Sequence, residues 1–176
     1  MRRREVFFIP LALLVAACGY TPVHSGVAAE RLHVVLSESK VPDAVASDEV
    51  LAGAREELAR AGTLESGDGF PRFEIEILRA DEASEGIAAV PDMSGRLVPE
   101  SRATRVGLVA RGWIVRSRGG ERERDTGDVR VFETVSVAFD ARVATFRHSD
   151  ALRAAGRRVG KRLATRIMGL PSASDE

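Results

Sequence analysis

The chain's single thiol, Cys18, closes an apolar stretch and is followed at once by Gly19 and Tyr20. A thiol is nucleophilic enough near neutral pH to take a long-chain substituent as a thioether, so its setting matters more than its rarity. Upstream stand Arg2, Arg3 and Arg4, then a run of 12 apolar residues from Val6 to Ala17 that ends in the small residues Val15-Ala16-Ala17. A positive start, an apolar middle and small residues before a cleavage point are the parts of an export signal. As a helix the run would span roughly 18 Å, well short of a hydrocarbon core of roughly 30 Å, which disfavours a permanent membrane span.

Leu14-Val15-Ala16-Ala17-Cys18-Gly19 resembles the lipobox of bacterial lipoproteins, with Val15 where leucine is commoner. The resemblance implies that residues 1–17 are removed and that Cys18 becomes the acylated N-terminus. Each buried methylene adds about 0.8 kcal/mol of membrane affinity, and two or more long chains give stable anchoring. Residues 18–30, with Pro22, Ser25 and Gly26, then read as a tether holding the following domain near the membrane surface. Cys18 has no internal partner, so no disulfide can form within the chain and the fold must rest on core packing.

Charge narrows the functions. Without Arg2, Arg3, Arg4 and Glu5 the chain keeps 23 basic and 25 acidic residues, a balance that argues against bulk attraction to nucleic acid. Lys40 and Lys161 are the only lysines, and asparagine and glutamine are absent, a composition that suits a GC-rich genome and makes arginine abundance uninformative by itself. Signals for enzymatic chemistry are weak, and the reading is of a non-enzyme without a cofactor. Gly156-Arg157-Arg158-Val159-Gly160-Lys161 is one residue short of a phosphate loop and places Arg162 where a magnesium-binding hydroxyl should stand. His24, His33 and His148 have no metal-ligand spacing. Asp125, Asp128 and Asp140 read as turn and strand-end residues, and Trp113 reads as core packing.

Residues 31–170 carry the periodicities of one domain, and residues 171–176 read as a polar tail. Arg31 to Leu36 suits a strand, and residues 47–61 suit a helix with Ser47 as N-cap, Val50, Leu51, Ala54, Leu58 and Ala61 inward, and Gly62 as stop. Phe73, Ile75 and Ile77 alternate with Glu74 and Glu76, as in a strand with one face in water. Thr104–Arg118 and Asp128–Arg142 read as strands of a long hairpin across a polar turn. Asp81 to Ser101 shows no periodicity and reads as a loop, either a contact loop or a disordered insertion. A last helix, capped by Ser149 or Asp150, carries the stripe Leu152, Ala155, Val159, Leu163 and Ile167. The expected fold is α+β, a two-layer sandwich in the order β-α-β-β-β-α, with two helices on one face of a mostly antiparallel four-stranded sheet.

This order, behind Cys18-Gly19-Tyr20 and Pro22, resembles the LptE family of lipopolysaccharide-assembly lipoproteins. The resemblance implies anchoring at the periplasmic face of the outer membrane, insertion into an LptD-like β-barrel translocon, and help in delivering lipopolysaccharide to the cell surface. Lipid phosphates favour guanidinium and ammonium partners, which makes Arg157, Arg158, Lys161 and Arg162 on the last helix, with Arg96 and Arg102 in the 81–101 segment, candidate contacts. For the helix residues the competing reading is a solvated charged face. Two other functions fit an exported, acylated domain: an auxiliary lipoprotein of an ABC-type lipid exporter, and a structural outer-membrane lipoprotein without a transport role.

Overall fold

A computed structural model of the chain describes residues 30–136 and 140–170. The export segment, Cys18, most of the tether and the 171–176 tail lie outside the described residues. Helix α1 (Ala44–Arg60) and helix α2 (Ala141–Ile167) pack on a six-stranded sheet of β1 (Leu32–Ser39), β2 (Leu64–Glu65), β3 (Arg72–Pro91), β4 (Leu97–Val115), β5 (Arg122–Glu123) and β6 (Val129–Ser136). The α+β class and the order of the four long strands and two helices match the expectation. The sheet does not: β1 runs parallel to both β2 and β3, and two-residue strands add to each side, so the sheet is mixed and larger than four antiparallel strands. Amphipathic patterns set which face a strand buries and leave its direction open, which is why the parallel pairing was not anticipated.

The core lies between the helices and one sheet face. Phe73, Ile75 and Ile77 are fully buried there with Leu108, Ala110 and Ile114 of β4 and Val129 and Val131 of β6. Val50, Ala54 and Leu58 from α1 and Leu152, Ala155, Val159, Leu163 and Ile167 from α2 close it from above. The predicted α2 stripe is thus its buried face. On α1 Val50, Ala54 and Leu58 are buried and Leu51 is partly buried, while Ala61, expected inward, is the exposed C-cap because the helix ends at Arg60. Both helices begin earlier than expected. Asp43, not Ser47, caps α1, accepting from the Ala46 amide at 3.0 Å, while Ser47 is buried inside the helix and donates to the Asp43 carbonyl. Asp140, not Ser149 or Asp150, caps α2 through the Arg142 and Val143 amides. In each case a carboxylate satisfies helix amides that lack a partner in the first turn. Of the strand expected over Asp128–Arg142, β6 covers Val129–Ser136, residues 137–139 lie outside the described residues, and Ala141 and Arg142 belong to α2.

Contact between the helices is set by glycine. A Cβ at Gly53, Gly156 or Gly160 would come within 3.0 Å of the carbonyl oxygen of Arg157, Ala46 or Val50 respectively. The spacing of Gly156 and Gly160 is therefore the spacing of one helix face pressed backbone to backbone against α1, which accounts for the pair without a phosphate.

The segment 81–101 is the largest correction. It is not a loop: β3 and β4 stay in register from Arg72↔Val115 to Pro91↔Leu97, with one irregularity between Ile77 and Arg79. A tight turn closes the hairpin, in which Asp92 accepts from the Ser94 and Arg96 amides at 2.8 and 3.0 Å and Gly95 has a φ of 80°. Among the described residues β1 pairs with β3 as far as Ile77 and β6 pairs with β4 as far as Ala103, and beyond them β3 and β4 continue paired with each other.

Candidate functional site

Each basic residue proposed on α2 has a partner within the domain. Lys161 and Arg157 converge on Glu56 of α1 at 2.6 and 3.0 Å, and Arg157 also reaches Glu49 at 3.5 Å. Hydrogen bonds from Lys161 and then Arg157 hold the Glu56 carboxyl below the usual carboxylate range. Arg158 pairs with Glu133 of β6 at 2.8 Å, and Arg162 donates to the Arg130 carbonyl at 3.3 Å. The face is thus a set of clasps from α2 to α1 and β6, with side chains still half exposed. Exposed pairs of this kind are worth at most about 1 kcal/mol each, so they add specificity to the helix placement more than stability. An incoming phosphate would have to displace Glu56 or Glu133 to use these cations.

Arg96 lies elsewhere, in the hairpin turn, and its guanidinium has no partner among the described residues. Arg102 falls within β4, and its side chain lies outside the described residues. The five candidate cations whose side chains are described therefore do not form one patch.

Two features were missed by sequence reasoning. On the helix-free face of the sheet Glu74 and Glu76 do not simply face water. Glu76 is 4% exposed and bridges Lys40 at 2.8 Å and Arg111 at 2.7 Å, while Trp113, 1% exposed, donates its indole N–H to Glu74 at 3.1 Å. The Arg122 guanidinium stacks 3.8 Å above the Trp113 ring. Trp113 is buried as expected, but under arginines on the opposite face from the helices. The second is the exposed apolar tip of the hairpin, where Met93 is fully exposed and Leu97 is 64% exposed. The turn sequence Pro91-Asp92-Met93-Ser94-Gly95, with an aspartate two residues before a serine and a glycine next, carried a signal for it.

The Glu76 bridge makes a pH prediction. Hydrogen bonds from Lys40 and then Arg111 depress the Glu76 carboxyl, so its contribution is present above the ordinary carboxyl value and is lost as pH falls through the depressed one. Lys40 is shifted upward by the same bond, a contribution lost only in strong alkali. Urea midpoints measured from about pH 5 down to about pH 3 should fall steeply for the natural chain. Glu76→Gln should start lower at neutral pH and show a shallower fall, and equal slopes would refute the assignment.

A cavity of about 330 Å³ opens beneath the first turns of α2, with Val106, Val135 and Ala144 beside Glu82, Thr145 and His148. Among the described residues no group of three or more His, Cys, Asp or Glu side chains is placed to hold a metal ion, and no helix is long and apolar enough to cross a membrane.

No family model matches this chain, and no curated protein is significantly similar to it in sequence. Its fold is similar to that of a "putative lipoprotein" from Caulobacter crescentus CB15, with a TM-score of 0.51 and 10% identity over 83% of this chain and 92% of that one. A minor lipoprotein from Acinetobacter baumannii aligns with a TM-score of 0.48 and 12% identity, over 80% of this chain and 91% of that one. The first likeness is one of fold alone.

Proposed function

We propose that this chain is a lipid-anchored lipoprotein at the periplasmic face of the outer membrane that binds an LptD-like β-barrel translocon and assists lipopolysaccharide assembly, without enzymatic activity of its own. The observation that carries the reading is the position of Cys18. It stands directly behind an export segment and 12 residues before the described domain, which begins at Glu30. Acyl chains on that sulfur supply the membrane affinity, and the tether lets the domain reach up to about 40 Å from the bilayer. The likeness of the fold to a lipoprotein supports the coarser half of the reading. The translocon half rests on Cys18-Gly19-Tyr20 and on the strand–helix–strands–helix order that follows it. Of the candidate cations whose side chains are described, the one with the least to give up to a lipid phosphate is Arg96, since Arg157, Arg158, Lys161 and Arg162 are already clasped within the domain.

Affinity purification of the lipidated protein from native membranes, with mass spectrometry of what co-purifies at near-equal amount, tests the reading. A large β-barrel at one-to-one stoichiometry is expected. An ABC transporter, or no partner, would overturn the translocon role.

A further inference from the structure

Strand β6 pairs with β4 along one edge, and among the described residues no strand pairs with the other. Its composition invites one. Val129, Val131, Phe132, Thr134 and Val135 are strand-favouring, and neither proline nor glycine interrupts them. Such an edge is a template for a further strand unless something covers it.

What covers it is arginine from α2. Arg162 donates to the Arg130 carbonyl at 3.3 Å, and Arg147 donates to the Ser136 carbonyl at 3.4 Å and to its hydroxyl at 2.9 Å. Arg166 reaches the carbonyl of Thr126, just before the strand, at 3.4 Å. Arg158, between them, pairs with Glu133 in the middle of the strand. Steps of eleven, four and four residues return to one side of a helix, so these four arginines lie along one side of α2. From Arg147 to Arg166 the helix spans roughly 28 Å, and from Ser136 back to Thr126 the extended chain spans roughly 33 Å, so α2 follows the edge along its whole length. Backbone groups alternate sides along a strand, which puts positions 130, 132, 134 and 136 on the side where the guanidinium groups reach the main chain.

The other long edge carries the same device. β1 pairs with β2 only at Leu32 and His33, and at the next residue Arg55 of α1 donates to the Val34 carbonyl at 3.1 Å. A clasp between helix and strand needs only side chains, as Arg158 and Glu133 demonstrate. Charges aimed at main-chain carbonyls do something further: an incoming strand must displace each guanidinium before its own amides can bond.

The strand most at hand is β6 of a second copy. Two identical edges related by a twofold axis exchange N–H and C=O groups reciprocally, and acyl chains on Cys18 would confine every copy to one surface, where their effective concentration is high. We propose that β6 is a latent pairing edge for a second copy of this chain, and that Arg147, Arg162 and Arg166 hold it shut. The guard needs only the fold and not the translocon.

Full-length lipidated protein in density-matched detergent tests this by sedimentation equilibrium, in four forms. They are the unsubstituted chain, Arg147→Gln/Arg162→Gln/Arg166→Gln, the same three positions changed to lysine, and Arg157→Gln/Lys161→Gln, which loosens α2 from α1 and leaves the β6 edge covered. The glutamine triple should self-associate at least about tenfold more tightly than the other three forms, which should stay monomeric. In its dimer the Phe132 and Thr134 amides should exchange hydrogen at least about tenfold more slowly than in the monomer. A monomeric glutamine triple would overturn the proposal, as would a dimer without that protection. Equal association of the Arg157→Gln/Lys161→Gln form would also overturn it, since the effect would not belong to the edge, and so would a dimeric unsubstituted chain. Should the triple fail to fold, Arg162→Gln alone, which gives up a single carbonyl contact, is held to the same outcomes.

Discussion

Replacing Gly160 by alanine is expected to destabilise the domain by about 3 kcal/mol or more, although the same exchange in an exposed helix would stabilise it by up to about 1 kcal/mol. The sign is decided by what the new Cβ meets. At Gly160 it would fall within 3.0 Å of the Val50 carbonyl oxygen, carbonyl carbon and the Ala54 amide, all backbone atoms of α1 that no rotamer change can move. One helix would have to translate away, and that movement opens the layer where Val50, Ala54 and Val159 are fully buried. Domains of this size hold about 5–15 kcal/mol in total, so the loss is a large share of the whole. Gly53→Ala drives a Cβ toward the Arg157 carbonyl from the other side of the same contact, and should cost a similar amount. The two together should cost less than their sum, because one insertion already separates the helices. Urea unfolding followed by the emission of Trp113, the only tryptophan, measures all three. Additive losses, or a stabilised Gly160→Ala, would mean the helices are not held at backbone contact.

Changing Cys18 to serine is expected to move the protein almost wholly from the membrane pellet to the soluble fraction after mild lysis. Serine keeps the size of the side chain and loses the nucleophile, so no thioether forms and acyl chains worth about 0.8 kcal/mol per buried methylene are absent. The urea midpoint of the domain should not change, because the described core begins at Leu32, 14 residues further on. Fractionation and unfolding on the same preparation therefore separate anchoring from folding. Continued pelleting of Cys18→Ser, with an unchanged midpoint, would show that a protein or lipid contact of the domain holds it there.

The parts of this fold that were legible in the sequence are those where burial writes a period into it. Val50, Ala54 and Leu58, the Leu152-to-Ile167 stripe and the Phe73-Ile75-Ile77 alternation all read correctly, because each faces the one core. Periodicity fails where burial ends. Residues 141–150 are helical but mostly exposed, so the apolar stripe written in the sequence starts only at Leu152 and gives no sign of the turns before it. Beyond Ala103 the hairpin's strand character lives in pairing between β3 and β4 that composition does not record. The cations of α2 were visible, but Glu49 and Glu56, which hold Arg157 and Lys161, stand about a hundred residues away in sequence and Glu133, which holds Arg158, lies on β6, so their clasping required the fold.

The amide of Leu32 bonds to the Thr63 carbonyl at 2.8 Å, and the Thr63 hydroxyl meets the Met168 sulfur at 3.6 Å. First strand and last helix therefore finish one side chain apart, at the pole from which the tether leaves. Topologically the domain is close to a ring, and a short glycine–serine bridge from residue 170 to residue 31 would close it. Reopened between Ser94 and Gly95 in the hairpin turn, the permuted chain would keep its core and begin at the opposite pole. An acylated leader fused there would hang the same domain upside down from the bilayer, which turns the orientation of the molecule into something an experimenter can set.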